Sequence, residues 1–243
     1  MRSVLVAHRG EPETWPENSL AGFDAVLKAG ASFLETDVQI TADGLAVLSH
    51  DPSLLKITGH DALICQTDSR TVLALSAGYP DRFGEKFQAL KITRLDQFAE
   101  LLKRWPEAKA FIEIKQACMD TYGITDAVDI VLDILTEVLD QCVIISFEYA
   151  ALVYVREVSR VPVGFVLPEW SAETQLQATE LVPEYLFCNR QRLPEAKELL
   201  WKGSWCWVVY TVNEALEIEH FLARGIDMVE TNVISQLLGS DES

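Results

Sequence analysis

A chain of 243 residues with 49% hydrophobic content has enough apolar matter for one sizeable core, and it has no run of 18 apolar residues that could form a long membrane span. Its formal net charge of −17 repels nucleic acid and anionic membranes. Neither is expected as a stable partner, and an anionic small-molecule substrate would need a locally positive site.

The N-terminus, MRSVLVAHRG, has one arginine and a short apolar run that stops at His8, Arg9 and Gly10. It reads as a first strand over 4–8 rather than an export signal. Asn18 and Ser19 are good caps for a helix that places Leu20, Phe23 and Leu27 on one stripe before Gly30 stops it. A second strand over 32–38 is followed by a tight turn and a further apolar segment that ends in His50 and Asp51. Residues 52–91 hold Gly59, Gly78, Pro80 and Gly84 with weak periodicity. That is too long for an ordinary loop and predicts a folded insertion over one mouth of a barrel. A helix is expected from Thr93, with Asp96 three residues on as a capping-box variant and a stripe of Leu95, Phe98, Leu101 and Leu102.

Beyond it, apolar runs at 110–114, 142–146, 162–167, 185–188, 206–211 and 227–231 read as strands. Amphipathic segments at 125–139, 149–158, 172–180, 194–202 and 213–223 read as helices, and a short helix follows Asn232. Eight strand-then-helix units argue for a parallel sheet, and their number and the chain length favour a closed (β/α)8 TIM barrel. The whole chain, 1–243, reads as one domain with an insertion at about 52–91. No Gly-x-Gly-x-x-Gly follows the first strand, so the dinucleotide-binding alternative loses its main signature. Five dispersed cysteines without a Cys-x-x-Cys pair fit a reducing cytoplasm, and zinc-ligand spacing is absent.

Active sites of such barrels lie at the C-terminal ends of the strands, where several polar residues fall out of place. His8 and Arg9 end the first strand, Glu35 and Asp37 lie in the outer half of the second, and His50 ends the segment after it. Glu113 and Lys115 close the third, Tyr210, Thr211 and Asn213 the seventh, and Glu230 and Thr231 the eighth. Singly, each has a plain structural reading: a hydrogen-bonded histidine, an exposed Glu-x-Lys pair, Asn213 as a helix cap. Together they ask for more. Glu35 and Asp37 are two apart on a strand and share a face, where each raises the other's cost of ionisation. With Glu113 they need a cation, and oxygen-only ligation selects Mg2+ or Ca2+. His8 and His50 beside such an ion can act as general acid and base, while Arg9 and Lys115 supply positive charge for a phosphate oxyanion.

The block AHRGEPETWPENSLAGFDAVLKAGASFLETDVQITADGLAVLSHDPSL, residues 7–54, resembles the glycerophosphodiester phosphodiesterase family. It carries that family's His-Arg-Gly, Pro-Glu-Asn-Thr/Ser, Glu-x-Asp-Val, Thr-x-Asp-Gly and His-Asp in order, and IEIK (112–115), SF (146–147) and YTVN (210–213) agree later on. The resemblance implies a (β/α)8 barrel with an insertion after the second strand and hydrolysis of glycerophosphodiesters, such as glycerophosphocholine, to glycerol 3-phosphate and an alcohol. It implies His8 and His50 as the catalytic pair, Glu35, Asp37 and Glu113 as metal ligands, and Arg9 and Lys115 as phosphate contacts. Four places depart from the pattern: LLKITG (54–59), KITRLDQF (91–98), Tyr210 where relatives have a tryptophan lining the substrate side, and ETN (230–232). These bear on headgroup choice and pocket shape, so Tyr210 is expected to contact substrate. A lipid-cleaving relative would show an apolar membrane-facing surface or an export signal, and a binding-only barrel would lack a key residue; the sequence shows none of these. The expected substrate is a soluble, deacylated diester in the cytoplasm.

Overall fold

The structure, a computed structural model, describes residues 4–194 and 200–239. Its strands are β1 (Leu5–His8), β2 (Phe33–Ile40), β3 (Ala46–Leu48), β4 (Lys109–Ile114), β5 (Cys142–Ser146), β6 (Val163–Val166), β7 (Tyr185–Asn189), β8 (Cys206–Tyr210) and β9 (Met228–Thr231). Eight of them are parallel in the order β1, β9, β8, β7, β6, β5, β4, β2, and β1 pairs with β2 to close the ring. This is the expected (β/α)8 TIM barrel. β3 is not part of the ring but pairs antiparallel with the outer half of β2.

Strand alternation sorts the side chains into two cores. Leu34, Val38 and Ile40 of β2 point outward and pack with Phe23, Phe98 and Leu102 of the surrounding helices. Val6, Phe111, Val143, Val208 and Met228 point inward and fill the barrel, with Phe33 packed against them. Phe111 meets Phe187 edge-on at 5.0 Å. Filling the lower barrel with apolar rings leaves the next inward layer, at the strands' C-terminal ends, for polar residues.

Helix α1 (Leu20–Lys28) is capped as expected, with the Ser19 hydroxyl accepting from the Gly22 N–H at 3.2 Å. The insertion carries α2 (Leu55–Thr58), α3 (Ser69–Ala74) and α4 (Pro80–Phe83), with a 3-10 turn at Ile64–Gln66. Leu54, Ile57, Ile64 and Val72 give it a small core of its own, shared with Val47 of β3 and Ile92. In α5 (Leu95–Lys103) the expected stripe is buried, but the cap differs. Arg94 precedes the helix and its N–H donates to the Gln97 side chain at 3.0 Å, while the Thr93 hydroxyl accepts from Leu20 N–H at the start of α1. Thr93 ties two helices together instead of capping one.

The helix expected over 125–139 is present as α7 (Ile124–Leu135), continued by a 3-10 segment, Thr136–Gln141; a helix not expected from sequence, α6 (Gln116–Tyr122), precedes it across Gly123, whose φ of 81° a side chain would resist. α8 (Tyr149–Val158) and α9 (Ala172–Leu181) fall where expected, and the helix expected over 194–202 lies largely outside the described residues. α10 (Ala215–Ala223) begins two residues beyond Asn213, so Asn213 is not its cap, and α11 (Ile234–Gly239) closes the described chain. No described helix is long and apolar enough to cross a membrane.

Candidate active site

The barrel register brings the polar layer together. His8 on β1 lies opposite Glu35 on β2, and Asp37 on β2 lies opposite Glu113 on β4. Glu35, Asp37 and Glu113 are all buried, and each offers a carboxylate oxygen within 4.8 Å of the others. Burial and then the neighbouring Asp37 push the Glu35 carboxyl well above its usual range, and burial raises Glu113 as well. Burial acts on Asp37 in the same direction, but Arg9, Lys115 and His50 outweigh it and hold Asp37 well below the usual range. Three desolvated carboxyls so close together fit a divalent cation, and an all-oxygen donor set suits a hard ion.

The cations are placed by the same strands. Lys115, the residue after β4, donates from Nζ to Glu113 at 2.7 Å and to Asp37 at 3.2 Å. Arg9 follows β1 in a left-handed turn (φ 52°), and its N–H donates to the Glu35 backbone carbonyl at 3.0 Å and to the Glu35 carboxylate at 3.1 Å. Its Nε lies 3.1 Å from Asp37 at an angle that makes an ion pair but no hydrogen bond.

Both histidines are oriented by a partner on the Nδ1 side. His8 Nδ1 is 2.7 Å from Asn232 Oδ1, and His50 Nδ1 is 2.7 Å from Asp51 Oδ1. An amide oxygen only accepts, so His8 carries its hydrogen on Nδ1 and keeps a lone pair on Nε2. Burial, reinforced by Arg9, pushes the His8 pKa down to about 3; burial also lowers that of His50, with Asp37 pulling against it. The backbone around His50 is pinned by Ser49 N–H donating to the Asp37 carbonyl at 3.0 Å and by the Gln39 side chain donating to the His50 carbonyl at 3.3 Å.

A cavity of about 250 Å³ opens at this end of the barrel. His8, Arg9, Glu35, His50, Glu113 and Lys115 line one side of it. Tyr210 lines the far side with Asn189 and Thr211, Glu230 lies on β9 next to β1, and Ile145, Phe147, Val166 and Phe187 form an apolar wall. Of the residues singled out in the sequence, Asp37, Asn213 and Thr231 are not at the cavity surface; Asp37 lies beneath, 1% exposed.

Three residues of the site were given no part in it from sequence, although Glu230 was picked out at the end of its strand. Asn18 donates from Nδ2 to Asp37 Oδ2 at 3.0 Å and accepts the Thr36 hydroxyl at 2.7 Å, so it orients a candidate metal ligand while Ser19 does the capping. Asn232 holds His8 from the far end of the chain, and is itself held by Asn213, whose Oδ1 accepts the Asn232 N–H at 2.9 Å. Glu230 is a fourth buried carboxyl, pushed up to about 8 by burial and by Glu113. Its inward position on β9, two residues past Met228 of the inner core, was the available signal.

A family model described as the glycerophosphoryl diester phosphodiesterase family matches residues 8–236. A glycerophosphodiester phosphodiesterase of Caldanaerobacter subterraneus subsp. tengcongensis is 27% identical over 239 residues, covering 96% of this chain and 95% of that one. An Oleispira antarctica phosphodiesterase, solved in complex with the product sn-glycerol-3-phosphate, matches with a TM-score of 0.85 at 20% identity over 99% and 97% of the two chains. The glycerophosphodiester phosphodiesterase of Thermotoga maritima matches with a TM-score of 0.75 at 24% identity over 99% of each. At those identities the structural matches speak for the fold, while the family model spans both the first motif block and the closing strand. The chain therefore belongs to the glycerophosphoryl diester phosphodiesterase family and is an enzyme of the phosphoric diester hydrolase class.

Proposed function

We propose that this barrel hydrolyses glycerophosphodiesters, such as glycerophosphocholine or glycerophosphoethanolamine, to glycerol 3-phosphate and an alcohol, with one divalent cation, Mg2+ or Ca2+, and a histidine pair. The observation that carries the reading is the meeting of three buried carboxylates within 4.8 Å at a cavity that His8 and His50 also line. Glu35, Asp37 and Glu113 would hold the cation, whose chemistry there is to neutralise charge on a non-bridging phosphoryl oxygen.

The chain's own groups supply the rest. Arg9 and Lys115 present positive charge to the phosphate from the cavity wall. His8, kept neutral by burial and by Arg9, takes the proton of the attacking hydroxyl on Nε2. His50, whose ring the Asp51 carboxylate orients at 2.7 Å, takes the other role and gives a proton to the departing alkoxide. Tyr210 offers its ring to the headgroup, including a quaternary ammonium. We read residues 1–243 as one domain that works on a deacylated diester in the cytoplasm, away from nucleic acid and membranes, in keeping with its net charge of −17. The test is the release of glycerol 3-phosphate from a panel of glycerophosphodiesters. Release from at least one choline or ethanolamine diester is expected; no release from any, with metal present, would overturn the proposal.

A further inference from the structure

Glu230 has no place in the chemistry above. It sits on β9, lines the cavity and is 3% exposed. Its Oε1 is fully buried and has no hydrogen-bond partner among the described residues. A buried carboxyl oxygen without a donor is costly to keep, and a residue that bears such a cost inside a binding cavity is suited to a ligand that brings the donor.

Three ligands can be weighed. The cation is the weakest: Glu230 lies outside the trio whose oxygens come within 4.8 Å of one another. The phosphate is excluded by charge, since a carboxylate repels it and a carboxylic acid is outmatched by Arg9 and Lys115. An ammonium headgroup is the next. The trio and a monoanionic phosphodiester are already matched in charge by a divalent cation, Arg9 and Lys115, and the quaternary ammonium of a choline diester has no hydrogen to donate to the partnerless Oε1. The hydroxyls of the glycerol half, common to every diester of this class, are neutral donors. The cavity wall around Glu230 has the composition for them: Asn189, Tyr210 and Thr211 come from the neighbouring β7, β8 and the residue after β8, and all are uncharged polar groups.

We propose that Glu230 recognises the glycerol half of the substrate, its carboxyl taking a hydrogen bond from a glycerol hydroxyl. Asn189 and Thr211, on β7 and just after β8, extend a polyol-binding wall from Glu230 along the cavity. The inference rests on the phosphodiesterase reading, and it adds that specificity for glycerol over other alcohols is set on β9. The raised pKa of Glu230 agrees with a largely neutral carboxyl that can also donate to a hydroxyl oxygen.

The test compares glycerophosphocholine with two analogues that each lack one glycerol hydroxyl, in the wild type, Glu230→Gln and Glu230→Ala. Wild type should prefer the full substrate over one analogue by roughly 10- to 100-fold in kcat/KM. Glu230→Ala should bring that preference within about 3-fold, and Glu230→Gln, which keeps an acceptor of the same shape, should retain part of it. Calorimetric affinity for Mg2+ or Ca2+ should stay within about 3-fold in both variants, because Glu230 is outside the carboxylate trio. Unchanged discrimination in Glu230→Ala, or collapse of its metal affinity, would overturn the inference. Wild-type inactivity on every diester would count against the phosphodiesterase reading instead. In that case calorimetric binding of sn-glycerol 3-phosphate and its deoxy analogues still reads the Glu230 contact, and equal affinities would overturn it.

Discussion

Asn18 is where the backbone, a candidate metal ligand and the fold meet in one side chain. It is 3% exposed and sits in a left-handed conformation, φ 58°, which asparagine tolerates better than alanine. Its side chain serves the Thr36 hydroxyl at 2.7 Å, Asp37 Oδ2 at 3.0 Å and, more loosely, the Asp37 N–H at 3.4 Å. Asn18→Gly removes all three without the steric penalty of a left-handed side chain. Asp37 keeps Lys115 as a donor, so the full loss falls on Thr36, which has no other partner among the described residues. A loss of about 2–3 kcal/mol is expected. Asn18→Ala adds about 1–2 kcal/mol for the left-handed turn. Because Asp37 is no longer fixed, metal affinity should fall about 10- to 100-fold in both variants, as happens when the groups that orient a ligand are removed. Urea unfolding gives the first number and calorimetry with Mg2+ or Ca2+ the second. If Asn18→Gly keeps its stability within 0.5 kcal/mol, roughly the scatter of a neutral surface change, and its metal affinity is unchanged, the role assigned to Asn18 is wrong.

The metal-free protein should lose stability as pH rises from about 6.5 to 8. Glu230, pushed up to about 8, and Glu35, held well above its usual range, let the folded state bind more protons than the unfolded one in this range, at about 1.4 kcal/mol per proton per pH unit. His8 and His50 act in the opposite sense, because their lowered pKa values make stability rise with pH, but that gain is mostly made below the unfolded value of 6.5 and fades within about one pH unit above it. A melting temperature in chelator that climbs from pH 6.5 to 8 refutes this, and Glu230→Gln should flatten the fall. His8→Ala and His50→Ala should each slow turnover roughly 10²- to 10⁴-fold, whereas exposed His60 and His220 should be replaceable without effect; a His50→Ala enzyme near the wild-type rate would refute the pair. Tyr210→Trp should change the ratio of kcat/KM between choline and ethanolamine diesters. A constant ratio with both rates reduced together would mean that Tyr210 supports the catalytic groups rather than the headgroup.

What could be read from the sequence was what strand periodicity and motif order encode. Glu35 and Asp37 share the inward face of β2 because residues two apart must, and the C-terminal ends of eight apolar runs collected most of the polar layer. The same reasoning failed where a residue's duty is set by a distant partner. Thr93 and Asn213 have cap-forming side chains and stand just before helices, yet tertiary hydrogen bonds to Leu20 and to Thr231 and Asn232 claim them. Asn232 reaches His8 across 224 residues, and no local pattern announces that. α6 buries only Cys118 and Met119, too few to give a helical period. Glu230 was visible as a carboxyl at a strand end, but its inward aim became distinctive only beside Met228 and the closed ring.

The most direct measurement of the central claim is release of glycerol 3-phosphate from glycerophosphocholine by the metal-stripped enzyme, before and after Mg2+ or Ca2+ is added back, run in parallel on the Glu35→Gln/Asp37→Asn double variant. The account predicts no release after stripping, recovery of the wild type with added cation, and no recovery of a double variant that remains folded. Full release in chelator, or a double variant as active as the wild type, would contradict it.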